Sequence, residues 1–500
     1  MTLAALKARL TDIYLLNRAN AVLSWDQQTQ MPPGGAAARA EQLAVLGKLA
    51  HQMLVAGETG ELLAAAEAET TGMGAEQDDA AYVRVAREVY DDATKLPESW
   101  VVEFNRTTAQ AHHIWAKARE EKDFQQFLPT LERIFDLVRQ QADYLGYAEK
   151  PYDALLDKFE RGTTSAEVAA IFGQLRTALV PIVHAIQANQ DRVSDAPLHG
   201  QFPSAQQRAF GEFVVKQFGF NFENGRQDVA VHPFCTSFSP RDVRITTRFD
   251  ETWLSPALFG TMHESGHGLY EQGIPLHWEN DILGNAVSLA FHESQSRLWE
   301  NVVGRSRAFW GHFYPRLQAT FPQQFENVDV EAFYRAVNQV KPSFIRVEAD
   351  EVTYALHIML RFDLEQAVIN DGFPVKELPD AWNAKMQEYL GITPPDDGLG
   401  VLQDIHWSLG IMGYFSTYAL GNMLAVQLYD LATAQHPSIP AEIAEGQFET
   451  LLGWMRSNIH QHGSKYRPKA LLKRVTGADQ IDPAPFLRYI QHKYGEIYAL

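Results

Sequence analysis

Most of the chain spaces its apolar residues with a helical period. In FLPTLERIFDLVRQQADYLG, Phe127, Leu128, Leu131, Ile134, Phe135 and Val138 fall on one stripe. TSAEVAAIFGQLRTALVPIVHAI repeats the theme, with Thr164 or Ser165 as N-cap and Glu167 close behind. The first twenty residues read as another amphipathic helix, and the last 90 or so as several more. One region breaks the pattern. Val243, Ile245, Thr247 and Phe249 alternate with Arg244, Thr246 and Arg248, and a period of two means a strand. VAVHPF (229–234) is its expected partner strand, joined through the turn-like SFSPRD (237–242). The pattern predicts a mostly helical protein with a small sheet just ahead of the segment 261–273. No repeat, low-complexity tract or long linker interrupts it, so residues 1–500 are expected to form a single large domain.

Composition narrows the partners. The chain has 500 residues, 46% of them hydrophobic, and a net charge of −19. An acidic protein gains no counterion-release energy from phosphate backbones, so neither nucleic acid nor an anionic membrane surface is expected as a partner. Cys235 is the single cysteine, which rules out an intrachain disulfide and fits a reducing, cytoplasmic setting. Lys7, Arg9 and Asp12 break the apolar run that a signal peptide needs. Residues 407–429 carry no formal charge and are long enough to span a bilayer. Their Gly, Ser, Thr, Asn, Gln and Tyr content points instead to a buried helix beside something polar.

The chemistry is concentrated in TMHESGHGLYEQG (261–273). His263 and His267 are four apart, so their rings leave one helix face. Neutral imidazoles at that spacing both reach one zinc at about 2.0–2.1 Å. Glu264 stands where a general base can face a metal-bound water and later hand its proton to the leaving amine. This is the H-E-x-x-H pattern of zinc metalloproteases. The extended form with a third histidine does not fit, because Tyr270 and Gly273 occupy the required Gly and His positions. Glu271 lies about 12 Å along the helix from His263 at a rise of about 1.5 Å per residue, beyond reach of the same ion. The third ligand is therefore sought on another helix. AVSLAFHESQSRLWEN offers Glu293, with His292 as a neighbour or structural residue. A His2Glu set leaves a fourth position open, as catalytic zinc requires.

The residues also resemble a known family, the carboxypeptidase Taq family of metallocarboxypeptidases. Its blocks occur in order: HPF (232–234), DVRIT (242–246), HESGH (263–267), HESQS (292–296), IRVEAD (345–350) and GVLQDIHW (400–407), preceded by SWDQQTQMPPGG (24–35). The resemblance covers essentially the whole chain. It implies a mostly α, two-lobed helical body with a deep groove, similar to neurolysin and angiotensin-converting enzyme. It implies release of single C-terminal residues from peptides with broad specificity, a divalent metal ion and a homodimer. Zinc is the expected ion; cobalt and manganese remain possible, since His2Glu ligation accepts several divalent ions.

Further roles follow from the resemblance and stay open between alternatives. An edge strand beside the zinc helix can bind a substrate backbone by strand addition, with DVRITTRF as the candidate. Tyr414 would donate to the oxyanion and His406 would assist, two helical turns apart if the helix is continuous; Tyr418 is the alternate tyrosine. A free α-carboxylate calls for an arginine fork, Arg346 by preference or Arg244, unless these form ion pairs with Asp350 or Asp242. His232 reads as a turn residue. The segment 26–35 is either a cap or a plain connection between helices. Three other readings compete: an oligopeptidase or dipeptidase with different end recognition, a peptide-binding protein that has lost catalysis, and a purely structural metal site, which the single cysteine disfavours.

Overall fold

A computed structural model describes residues 2–500. The chain divides into two compact units. The first comprises Met1–Thr94, Asp195–Val337 and Leu428–Asp479, and the second Lys95–Ser194, Asn338–Gln427 and Gln480–Leu500. Each unit draws on three separate stretches of chain.

In the first unit the N-terminal helix, Thr2–Thr29, buries Leu3, Leu6, Leu10 and Ile13 on one stripe. These pack with Leu63, Ala66, Ala81, Tyr82 and Ala86 from the helices Gly57–Thr70 and Asp78–Thr94. The segment 26–35 proves to be the end of the first helix plus a short 3-10 turn, Pro33–Gly35, leading into Ala36–Val55. It is a connection between two helices that pack on each other.

The sheet has three strands: β1 (Gly225–Val229), β2 (Cys235–Ser239) and β3 (Asp242–Thr247), in the order β1-β3-β2. β3 pairs in parallel with β1, Gly225 opposite Val243, and antiparallel with β2, Ser237 opposite Val243. This corrects two expectations. The antiparallel partner of β3 is Cys235–Ser239, and most of VAVHPF is the connection that lets the chain cross from β1 to β2. DVRITT is a central strand with both ladders occupied, so it has no free edge for a substrate backbone. Only β1 and β2 are edges. His232 and Pro233 are exposed on the connection.

The sheet positions the motif helix, Ser255–Gly273, which packs on β3 and β2. Val243 and Ile245 turn their fully buried side chains to the core. Pro256 sits in the first turn, where its missing N–H costs nothing, and Pro275 follows the last. A β-carbon on Gly268 would lie 2.6 Å from Phe220 and 3.4 Å from Ile245, so absence of a side chain there lets the helix settle onto the sheet. The helix that carries Glu293, Leu289–Arg297, is capped by Ser288, whose hydroxyl accepts from the Phe291 amide. It widens into a π turn over Leu298–Val303.

In the second unit Phe124–Leu145 and Ser165–Gln187 form as the apolar stripes require. Thr164 is the N-cap of the latter, paired with Glu167 in a capping box. Ser165–Gln187 is long and apolar enough to cross a membrane by length and composition. Its buried positions, Val168, Phe172, Leu175, Leu179, Val183 and Ile186, form one stripe that faces the helices Leu378–Leu390 and Ala484–Tyr498. Residues 407–429 are not one helix. Residues 404–415 form turns, and Ser416–Gln435 is the helix that follows. Tyr414 and His406 are thus not on a continuous helix, again a correction. Glu365, fully buried, organises the turns by accepting from Trp407 Nε1 (2.8 Å), Tyr152 Oη (2.8 Å) and the Gly413 amide (2.9 Å). Gly413 has φ +89 and would drive a β-carbon within 2.8 Å of the Leu155 backbone.

The closest approach that matters to the site is at Gly266. A β-carbon there would lie 2.5 Å from the Gln295 carbonyl oxygen and 2.6 Å from Ser296 Cα. Gly266→Ala is expected to cost at least about 1–3 kcal/mol, because backbone rather than a movable side chain fills the space. Thermal unfolding of metal-stripped protein checks this. Gly453→Ala, at a helical position with nothing within 4 Å, serves as the control and should be neutral or slightly stabilising. Equal melting temperatures for the two variants would contradict the close contact.

Candidate metal centre

His263 and His267 leave one face of the motif helix, and Glu293 meets them from Leu289–Arg297. One ligand atom from each lies within 4.8 Å of the other two. Glu293 Oε2 is 3.7 Å from His263 Nε2 and 3.4 Å from His267 Nε2. Ligands about 2.1 Å from one ion at tetrahedral angles sit roughly 3.4 Å apart, so this set fits a divalent cation. Two imidazoles and a carboxylate suit zinc and its neighbours. Among the described residues no other His, Cys, Asp or Glu group shows this convergence. Glu271 is outside the converging set, as its position further along the helix requires, and accepts from His292 Nε2 at 2.9 Å.

The groups around the three ligands carry much of the electrostatics. Arg297 Nε donates to Glu293 Oε1 at 2.6 Å, leaving Oε2 as the oxygen turned to the histidines. Ser296 Oγ lies 3.0 Å from that Oε2. Burial by itself would raise the Glu293 carboxyl; Arg297, His263 and His267 outweigh it and hold it well below the usual range. Glu300, on the π turn, accepts from His263 Nδ1 at 2.9 Å and from Arg297 Nη1 at 3.2 Å. Burial opposes its ionisation too, but Arg297, His263 and Arg305 bring it down to about 2. His263 thereby has its Nδ1 engaged by a carboxylate, which fixes the tautomer and leaves Nε2, on the Glu293 side, as the nitrogen that would ligate an ion. Burial pushes His267 down to about 3, with His292 adding to the effect, so its ring stays neutral. Glu264 is 6% exposed. Burial pushes its carboxyl up to about 7; His263 pulls it down and Glu293 pushes it further up.

The other expected residues, Arg244 apart, lie in the second unit. Arg346 is 4% exposed and donates from Nε (3.1 Å) and Nη2 (2.8 Å) to Asp404, and from Nη1 to Tyr354 (3.1 Å). Its ion-pair partner is Asp404; Asp350 instead accepts from Thr353 and Lys341. Arg361 Nε donates to the other Asp404 oxygen at 2.6 Å. Two buried guanidiniums thus share one carboxylate. Although the predicted helix is broken, the turns bring the His406 and Tyr414 rings to 5.6 Å. Tyr418 Oη is 3.5 Å from His406 Nε2. Arg244, in the first unit, is gripped at 2.9 Å by both oxygens of Asp242 and lies 4.2 Å from the Trp25 ring.

Four charged residues escaped the sequence reading. Arg297 and Glu300 stand four and seven positions after Glu293, a helical spacing that could have signalled them. Asp404 lies inside GVLQDIHW, yet nothing local marks it as the partner of two arginines. Arg361 carries no signal at all.

A glutamate-bearing helix with paired histidines, completed by a carboxylate from a second helix, defines a hydrolytic metal site of the metallopeptidase class. Comparison with known proteins narrows the class. Residues 5–494 match the carboxypeptidase Taq (M32) metallopeptidase family, and the chain belongs to that family. It is 41% identical over 490 residues to thermostable carboxypeptidase 1 of Thermus thermophilus, covering 96% of this chain and 95% of that protein. It is 36% identical over 484 residues to carboxypeptidase 1 of Bacillus subtilis, covering 97% and 96%. The crystal structure of the M32 carboxypeptidase from Deinococcus radiodurans R1 superposes with a TM-score of 0.96 at 40% identity over 100% of both chains. The protein is accordingly a metal-dependent carboxypeptidase that acts on peptides with a divalent ion.

Buried neutral histidines set its response to acid. Burial, with Arg361 and Arg346 beside it, holds His357 well below its usual value. Burial puts His406 and His460 each at about 3; Asp404 opposes this at His406, while Arg456 adds to it at His460. The unfolded chain binds protons at these histidines below about pH 6.5, whereas the folded chain does not. These histidines are therefore expected to lower stability as pH drops below about 6.5, by up to about 1.4 kcal/mol per pH unit each, partly offset by Glu264 and Glu365, whose buried carboxyls are pushed up to about 7. Urea unfolding midpoints of metal-stripped protein at pH 7, 6 and 5 measure the slope, and His357→Leu should flatten it. An unchanged slope in that variant would remove His357 from the account.

Proposed function

We propose that this carboxypeptidase releases one C-terminal residue at a time from peptides, with broad tolerance for the side chain removed. The observation that carries this reading is the convergence of His263, His267 and Glu293 beside a buried Glu264. His263, His267 and Glu293 would hold a divalent ion, which would supply Lewis acidity for the peptide carbonyl and for water near neutral pH. Zinc is the ion proposed, with cobalt or manganese able to serve in the same ligand set.

Glu264 takes the proton from the attacking water and returns it to the leaving amine. Its buried carboxyl, near the working pH, suits both directions of transfer. Glu300 and Arg297 hold His263 and Glu293 in their ligating orientations. Tyr414 donates to the developing oxyanion and His406 assists, as the resemblance implies, with Tyr418 as the alternate donor. The His406 ring stays neutral through the neutral range, so it can act as a hydrogen-bonding group without a change of charge. Arg346 reads the free α-carboxylate of the substrate. Its pairing with Arg361 on one Asp404 supports this, since two cations and one anion leave a positive charge to be met by a carboxylate. Arg244 is the lesser candidate, because the one carboxylate of Asp242 balances its single charge. We further propose that the enzyme works as a cytoplasmic homodimer.

One peptide, prepared with a free and with an amidated C-terminus, tests the reading by mass spectrometry. The expected product is a one-residue ladder from the free form alone, lost when a chelator removes the ion. Glu264→Gln should lower turnover by about 100- to 10,000-fold while the protein still takes up one equivalent of metal. Internal or two-residue cuts in both peptides would keep the metal chemistry and remove Arg346 from chain-end recognition.

A further inference from the structure

The two ligating histidines are held by different devices. A metal-ligating histidine almost always donates its second ring N–H to an acceptor, which fixes the ring. His263 obeys this through Glu300. His267 does not: its Nδ1 is buried and has no hydrogen-bond partner among the described residues. Something else must stop this ring from turning its Nε2 away from Glu293.

His292 lies flat against it. The two ring centroids are 4.4 Å apart with planes 21° from parallel. His292 is itself immobilised, because its Nε2 is 2.9 Å from Glu271 Oε1, one turn beyond His267 on the motif helix. Tyr270 stacks at 5.4 Å from His292, and His460 stacks on Tyr270 at 4.8 Å, each within 26° of parallel. Tyr270 and His460 are anchored in turn. The Tyr270 hydroxyl accepts from the Val287 amide at 3.2 Å, and His460 Nε2 lies 2.9 Å from Gln295 Oε1. The result is a column of four rings, His267, His292, Tyr270 and His460, drawn from three stretches of the first unit.

We propose that His292 is a positioning residue that orients the metal ligand His267 by ring stacking, in place of the missing hydrogen bond to Nδ1. The aromatic face of His292 does this, and its bond to Glu271 serves to hold that face in place. The inference rests on the metal centre described above. It assigns His292 no contact with the ion, from which its bonded nitrogen is turned to Glu271.

The test compares His292→Phe, His292→Gln and His292→Ala, with the metal affinity of the full chain as readout. Cobalt(II) is titrated into chelator-stripped protein in competition with a chromophoric chelator, and the visible absorption of the bound cobalt reports ligand geometry. Circular dichroism of the stripped proteins confirms folding. His292→Ala is expected to weaken cobalt binding about 10- to 100-fold and to alter the cobalt spectrum. His292→Phe keeps the ring face and should restore both the affinity and the spectrum. His292→Gln keeps a donor for Glu271 without a ring and should resemble His292→Ala. If the phenylalanine variant is unstable because the buried Glu271 loses its His292 partner, Glu271→Met with His292→Phe removes that penalty and should bind like the parent. The opposite order, with glutamine restoring the affinity and phenylalanine not, would overturn stacking in favour of the hydrogen bond. Parent-like binding and spectra in all three variants would also overturn it. A parent protein that takes up no stoichiometric cobalt would sink the metal centre itself, and that result is separate from the order of the variants.

Discussion

The metal centre depends on how closely two helices can approach. Glu293 reaches His263 and His267 only because the motif helix presents Gly266 to the backbone of Gln295 and Ser296, where even a β-carbon would lie 2.5 Å from a carbonyl oxygen. A second side-chain omission, at Gly268, seats the same helix on Phe220 and the sheet. The residues between and beside the ligands in HESGHG are thus part of the ligand geometry. They set the distance across which an imidazole and a carboxylate face each other, and that distance decides whether one ion can join them.

Once the helices are this close, charge becomes the governing term. Glu264 and Glu293 are buried and Glu300 is mostly so around two imidazoles, and buried carboxylates resist ionisation. Arg297 settles the matter by bonding to Glu293 and Glu300 together, so both stay ionised while Glu264, without such a partner, is pushed toward neutral pH. Carboxyl groups of one intrinsic acidity are thereby held in different charge states by their surroundings. The second unit repeats the principle with signs reversed. There Asp404 is shared by Arg346 and Arg361, and burial keeps His357 and His406 neutral beside them.

Much of this was legible before the structure. Helical periodicity found Phe124–Leu145 and Ser165–Gln187 and the cap at Thr164, because those are local consequences of burying one face. The histidine pair and Glu264 were legible for the same reason, since i and i+4 on a helix have only one geometry. Glu293 was found from the need for a third ligand. The misreadings were all non-local. Alternation marks Val243–Thr247 as a strand but says nothing of its neighbours, so a central strand passed for an edge. Apolar residues from 407 to 429 passed for one helix, because the turns at 404–415 are imposed by Glu365, more than forty residues away.

By itself the sequence determined the local geometry: which segments are helical, which side of each is apolar, and which side chains leave one face together. These depend on dihedral preferences and on periods of two and 3.6, which neighbouring residues control. Tertiary structure alone decided which nitrogen of each ligand histidine is supported, and by what. Glu300 supports His263 across 37 residues by a hydrogen bond, whereas His292 meets His267 face to face with no bond between them. It also decided that Asp404 binds both Arg346 and Arg361. Such pairings arise where elements distant in sequence bury one another's polar groups, and burial makes each group take whatever partner the packing brings within reach.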